Sequence, residues 1–500
     1  MAVYQNPVIK GYNPDPSICR VGKDYYLVTS TFEFFPGVPV YHSRNLTDWK
    51  MIGYCLTRDS QLPLEKCRCS GGIYAPTIRY HDGTFYMITT NVSHGGNFIV
   101  YAENPAGPWS EPQWVDQAGI DPSLLFDDDG KVYFCGTHND NGRSSIVLFQ
   151  VNPKTGERLS EKTVITHGTG EKCPEAPHLY KINGWYYLMI AEGGTEYGHM
   201  ETIFRSHNVE GPYESCPHNP LICHRQADTL PIQATGHGDL LEDENGNWWM
   251  VHLGIRPLGH AMLHNLGRET FLTPVRWEGG WPVVGEERHT AMEMTAVLPG
   301  DDTAVIPAVD FEDDFTDGSW KLDWNFVRNP YRERYVCENG ELCLRGGEET
   351  LSDFVPTFMG VRQKEFEMAA ETCLTAALQD GGRAGLTAFY NMEYHYEVYT
   401  KRIGDCQKVG LSWTVHGMTG GCESDTVEST QPVMFRAETG REEYRFYYRT
   451  EKTDWKLLGT CATAGLCTEG TRMMTFTGTY LGVFAEKGEG RFQYFSAKEI

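Results

Sequence analysis

Three carboxylates and a histidine fall at or next to one position of an internal repeat, and that position is where chemistry is to be sought. Five segments begin alike: NPDPSICRVGKDYYLVTS from Asn13, IYAPTIRYHDGTFYMITT from Ile73, IDPSLLFDDDGKVYFCGT from Ile120, PEAPHLYKINGWYYLMIA from Pro174 and, more loosely, TGHGDLLEDENGNWWMVH from Thr235. Aligned on Pro16, Pro76, Pro122 and Pro177, the preceding residues are Asp15, Ala75, Asp121 and Ala176, with Glu175 one step further back. In the fifth copy His237 takes that slot. Taken singly these residues are bland: Asp before Pro is common in turns, and a lone histidine is more often a core or capping residue. Taken together, they place three acids at matching points of a repeat. Two carboxylates on either side of a glycosidic bond can hydrolyse it, one giving a proton to the leaving oxygen while the other, ionised, activates water or attacks the anomeric carbon. A third negative charge nearby keeps the acid protonated near neutral pH.

Something must bring these residues together. The repeats are spaced at the interval expected of propeller blades. A second repeat runs in phase with the first: YHSRNLTDWKMIG from Tyr41, YAENPAGPWSEPQWV from Tyr101, FQVNPKTGERLSEKTVI from Phe149 and FRSHNVEGPYESCPHNPLI from Phe204, with RETFLTPVRWEGGWPVV from Arg268 closing the fifth unit. Strands alternate briefly and stop at HDG, DDDG, ING and ENG, all hairpin-turn sequences. DDDG at Asp127 lacks the spaced ligands and terminal Glu of a calcium loop, so it reads as a turn. The expectation is all-β: a five-bladed β-propeller over 1–300, a linker over 301–310 and a β-sandwich over 311–500. In a propeller the first strand of each blade lines the axis, so Asp15, Asp121, Glu175 and His237 should converge at one mouth.

Composition narrows the partner. The formal charge of −24 argues against nucleic acid or an anionic membrane and favours a small neutral substrate. Aromatic residues make up 12% of the 500-residue chain, which suits β structure and also sugar-stacking surfaces. The 15 cysteines are odd in number and scattered, so no disulfide framework is expected; Cys67 and Cys69, with Cys55 upstream, lack the second pair that a zinc site needs. The stretch MAVYQNPVIKGYNPDPS has no basic region ahead of an apolar run, and no segment approaches the length of a membrane span. A reduced, cytoplasmic enzyme is the expectation.

NPDPSI, GIDPSLLFDDDG and CPEAPHLYKINGWYYL resemble the three acid motifs of glycoside hydrolase family 43. TSTFEFFPGVPVYHSRNLTDW, GGIYAPTIRYHDGTFY, AEGGTEYGH, QATGHGDLLE and LGRETFL follow its β-xylosidase and α-L-arabinofuranosidase branch, and the second half resembles the concanavalin-like β-sandwich that accompanies it. The resemblance implies an inverting exo-glycosidase that releases terminal β-1,4-linked D-xylose from xylo-oligosaccharides. The alternatives are an α-L-arabinofuranosidase, a dual enzyme or, remotely, a non-catalytic carbohydrate-binding propeller. It implies Asp15 as general base, Glu175 as general acid and Asp121 as the group that tunes and orients Glu175. Arg268 matches the arginine that bonds the terminal sugar, and Phe32 and Tyr74 match aromatic walls of the subsite. Tyr74 stands where a Trp is usual. His237 matches the histidine at the propeller centre that in relatives helps hold a calcium ion or water beneath the site. No cofactor is implied for the chemistry, and a homo-oligomer is left open.

Overall fold

A computed structural model describes residues 1–300, 303–427 and 431–500. Asp301 and Asp302, at the start of the expected linker, lie outside the described residues; 303–310 carries no regular structure. The described residues contain strands and three short 3-10 turns, with no α-helix. They form two compact units: Met1–Pro257 with Arg268–Pro307, and Leu258–Gly267 with Ala308–Ile500.

The first unit is the five-bladed propeller. The blades run Ser17–Val21 to Lys50–Leu56, Thr77–His81 to Gln113–Trp114, Ser123–Phe126 to Thr163–Thr166, Glu175–Ile182 to Glu214–Ser215, and Gln233–Glu242 to Trp281–Val284. Each is an antiparallel meander, and the five innermost strands touch in sequence and close into a ring. Ala2–Gln5 pairs with Glu293–Ala296, bringing the two ends of the unit together. The turns form where the residues demand them. Asp82–Gly83 and Asn183–Gly184 take the left-handed conformations of a tight hairpin, at φ 45° and 77° and at 50° and 79°. The DDDG segment is a hairpin loop closed by Asp127 N–H to Lys131 O (2.9 Å). Its Asp127 carboxylate bonds Lys181 and Tyr186 of the next blade, both at 2.6 Å.

Alternation buries one face of each sheet against the next blade. Leu124, Phe134 and Phe149 of blade three meet Tyr86, Ile88 and Ile99 of blade two. Tyr187 and Met189 of blade four meet Leu240 and Met250 of blade five. Leu241 and Trp249 of blade five pack with Ile18, Tyr25 and Leu27 of blade one.

The axis is polar. Regular pairing of the inner strands begins at Ser17, Thr77, Ser123 and, after irregular pairing, at His178 and Asp239. Each lies two residues beyond the repeat slot. Asp239 accepts from Ser17 Oγ (2.7 Å), the Ile18 N–H (3.0 Å) and the Tyr180 hydroxyl (2.6 Å). Arg79 grips it at 2.8 and 3.1 Å and reaches His178 Nδ1 at 2.9 Å. Four of the five blades are thereby pinned through one buried carboxylate.

The second unit is a β-sandwich. Two strands, Met368–Asn391 and Tyr480–Glu499, pair along most of their length, with the register broken between Leu378 and Arg383. Beyond the break their partners differ: Val433–Glu438 and Glu341–Gly346 flank one half, Tyr394–Ile403 and Phe358–Arg362 the other. The long pair therefore runs through both sheets. Glycine makes the bend possible: a Cβ on Gly382 would lie 2.3 Å from the Lys487 carbonyl, and one on Gly488 2.6 Å from Leu378 Cα.

Candidate active site

The repeat slot has an unusual backbone. Asp15 (φ 55°), Asp121 (φ 55°), Ala176 (φ 49°) and His237 (φ 52°) are all left-handed, a region that non-glycine residues rarely occupy. Such conformations cost about 1–3 kcal/mol each and persist where the surroundings impose them. Only Ala75 among the five slots is absent from this set. The strand pairing is also irregular here, between Glu175 and His178 and on both sides of Gly236. Four of the five inner strands thus turn sharply at the slot before joining their sheets.

Asp15 is buried at 4% exposure. It accepts the Ser30 hydroxyl at 2.5 Å and Arg268 Nη1 at 2.9 Å, and His237 Nδ1 lies 3.6 Å away. The backbone fixes this meeting, because Asn13 N–H bonds the Arg268 carbonyl (3.0 Å) and Thr270 Oγ1 bonds the Asn13 carbonyl (2.7 Å). The next residue after Arg268, Glu269, is clamped by Arg256 at 2.7 and 2.9 Å. Arg268 also donates to Thr195 Oγ1 at 2.8 Å. Its guanidinium sits 5.7 Å from the centre of the Phe32 ring, and that ring lies 5.2 Å from Tyr74. Phe32 is buried, whereas Tyr74 is partly exposed.

The three acids differ in electrostatics. Burial alone would raise the Asp15 carboxyl, but Arg268, His237, the Ser30 hydroxyl and His199 together hold it below its ordinary value. Glu175 goes the other way: burial, then the charge of Asp15, pushes it up to about 7 against Arg268 and Lys172. The residue as a whole is half-buried. Burial, Glu175 and Asp15 push Asp121 up, opposed by an N–H bond from Ala176 and by Arg268. Repulsion between carboxylates is mutual, so the Asp121–Glu175 pair releases its protons in separate steps. An ionised Asp15 facing a protonated Glu175 is the division of labour that acid–base hydrolysis needs.

Every site residue expected from the sequence lies in the first unit, and contacts or charge interactions link them to one another. Ser30, Thr195 and His199 were not foreseen. His199 is fully buried, packs beneath Gly236 and is pushed down to about 3 by burial and by His237 and Arg268. The motifs TSTFEFF and AEGGTEYGH contain all three, but nothing in the repeat distinguishes them. His237 approaches Asp15 rather than a cluster of metal ligands; among the described residues, no three His, Cys, Asp or Glu side chains gather to hold a metal.

Residues 4–282 match the family described as Glycosyl hydrolases family 43, and residues 312–497 match the Beta xylosidase C-terminal Concanavalin A-like domain. The chain is 40% identical to a non-reducing end alpha-L-arabinofuranosidase of Bacteroides ovatus, over 98% of this chain and 92% of the relative. It is 32% identical to a beta-xylosidase of Bacillus subtilis strain 168, over 99% of both. The solved xylan beta-1,4-xylosidase of Bacillus halodurans superposes with a TM-score of 0.93 at 34% identity, covering 99% of this chain and 100% of that one. The acid-bearing propeller, the sandwich that follows it and these likenesses place the chain in glycoside hydrolase family 43, as a glycoside hydrolase of its xylosidase and arabinofuranosidase group.

Proposed function

We propose that the protein is an inverting exo-glycosidase that releases terminal β-1,4-linked D-xylose from short xylo-oligosaccharides. The observation that carries this is the opposed displacement of two neighbouring carboxyls, Asp15 held low and Glu175 raised to about 7. Asp15 takes a proton from a water molecule, whose oxygen attacks the anomeric carbon. The C–O bond to the leaving sugar breaks as Glu175 protonates its oxygen. Asp121, coupled to Glu175 by charge, tunes that acid's hold on its proton and orients it. Arg268 meets the hydroxyls of the terminal sugar while pairing with Asp15, and Phe32 and Tyr74 wall the ring.

Calcium takes six to eight oxygen ligands, waters among them. Among the described residues no three His, Cys, Asp or Glu side chains gather to hold a metal, so an ion beside His237 would be held mainly through water, and no step here passes through one. The charge of −24 favours a neutral sugar, and 15 free cysteines suit a reducing, cytoplasmic setting.

A second reading, α-L-arabinofuranosidase, is favoured by the name of the Bacteroides ovatus relative. The purified enzyme with p-nitrophenyl β-D-xylopyranoside and α-L-arabinofuranoside separates the two: xyloside turnover should dominate, and a large excess of arabinoside turnover reverses the order. Proton NMR of the first product should show inverted configuration, and retention would remove Asp15 from its role as a base.

A further inference from the structure

We propose that Arg225 is a positioning residue for the general acid, clamping together the two loops that frame it. The inference rests on reading Glu175 as that acid. Arg225 lies outside the mouth, on the wall of a groove of about 780 Å³ that Thr169, Glu171, Asn219 and Arg288 also line. Its guanidinium grips Glu171 with Nη1 to Oε1 at 2.9 Å and Nη2 to Oε2 at 3.3 Å. The same group bonds the Gly198 carbonyl, with Nη2 at 2.7 Å and Nε at 3.3 Å. One planar fork thus spans two chain segments, which suits arginine and not lysine.

The two segments matter for different reasons. Glu171 lies four residues before Glu175, in the connection that delivers the acid to its strand. Gly198 ends the loop that carries Thr195, which holds Arg268, the partner of Asp15. The loops are laced at two further points. Gly193 N–H bonds the Lys172 carbonyl at 2.8 Å, and Lys172 Nζ pairs with Glu196. The positive charge of Lys172 is in turn one of the groups acting on Glu175. The second loop must fold tightly for this: Gly193 is left-handed at φ 88°, and a Cβ there would lie 2.0 Å from the Gly198 carbonyl. Underneath, the buried Glu192 accepts the Thr169 N–H (2.9 Å), the Thr169 hydroxyl (3.0 Å) and the Thr202 hydroxyl (2.8 Å), anchoring the far end of the acid's connection. Arg225 closes the free side of that assembly.

The Arg225–Glu171 pair is one-third to two-fifths exposed, so losing it should barely change stability, and the variants will fold. The readout must then report on proton donation. Arg225→Ala, Arg225→Lys and Glu175→Gln are compared with wild type on a series of aryl glycosides of the sugar the enzyme turns over, from 2,4-dinitrophenyl to phenyl. A leaving group of low pKa departs without a proton; a poor one needs it. Misplacing the acid in Arg225→Ala should cost about 10- to 100-fold in kcat/KM on the phenyl glycoside and little on the dinitrophenyl one, with Arg225→Lys between it and wild type. Equal losses across the series, or no loss, overturn the proposal for Arg225. A flat series for Glu175→Gln overturns the reading of Glu175 itself, and the proposal with it; the two failures are therefore distinct.

Discussion

Two buried aspartate–arginine pairs stand one layer apart on the propeller axis. Asp239 and Arg79 form the lower one, with Ser17, Ile18 and Tyr180 completing the carboxylate's bonds. Asp15 and Arg268 form the upper one, where Ser30 is the other strong partner and His237 stands off at 3.6 Å. Asp239 lies in a regular strand pair, whereas Asp15 sits in a left-handed turn. Both carboxyls are held low, Asp239 to about 2, by opposing burial with an arginine. The difference lies in what is left over. The lower pair commits its hydrogen bonds to joining blades; the upper lies in the left-handed layer where the proposed mechanism places the base. On that reading the same motif serves stability in one layer and reactivity in the next.

Substitutions at the two pairs should part company. Asp15→Asn is expected to lower kcat by about 10³- to 10⁴-fold in steady-state hydrolysis, and, because it leaves a buried arginine without its counter-charge, to lower the thermal midpoint followed by circular dichroism. Asp239→Asn should cost stability without the loss of turnover. It leaves Arg79 buried without its counter-charge, at a cost of about 3–5 kcal/mol, so soluble yield and denaturant midpoint fall while the folded fraction keeps its turnover. If Asp239→Asn were inactive but fully stable, the division between layers would fail.

The next effect is on pH. Glu175 must carry a proton, so kcat/KM should fall as pH rises through about 7, and that alkaline limb should vanish in Glu175→Gln when an activated glycoside is used. A carboxyl raised on folding lowers stability once pH exceeds its unfolded value of about 4.3. Glu175→Gln should therefore raise the melting temperature by about 2–4 °C at pH 8 and less at pH 5. The smallest effect is expected at the wall: Tyr74→Trp should change the ratio of xyloside to arabinoside turnover by about 10-fold or less, through stacking alone.

Much of this contrast was legible in the chain and some was not. The prolines set the register, and the acids stood out because copies of a repeat differed there. The lower ring lies two residues further on in every copy, but Ser17, Thr77, Ser123, His178 and Asp239 look like ordinary alternating strand residues. The pairing of Ser17, His178 and Asp239 with Arg79 depends on ring closure, which no local pattern encodes. Ser30 closes the first repeat copy, where the others end in Thr90, Thr137, Ala191 and His252, an unremarkable set, and Thr195 and Arg225 lie in connections outside the repeat. In the sandwich, the alternation in FEMAAETCLTA and RAGLTAFYN marked strands, yet the two segments are one strand, Met368–Asn391, bent at glycines that read as a turn.

The pairing of Asp15 with Arg268 spans 253 residues, and the lower pin spans 222 between Ser17 and Asp239. Both wait for the fifth blade. At about 5–20 residues per second, a ribosome needs roughly 10–50 s to deliver that blade after the first has emerged. The nascent chain therefore carries Asp15 without Arg268 for about half of its synthesis, 253 of 500 residues, and on the proposed mechanism the ability to cleave a glycoside arrives only when the circle shuts.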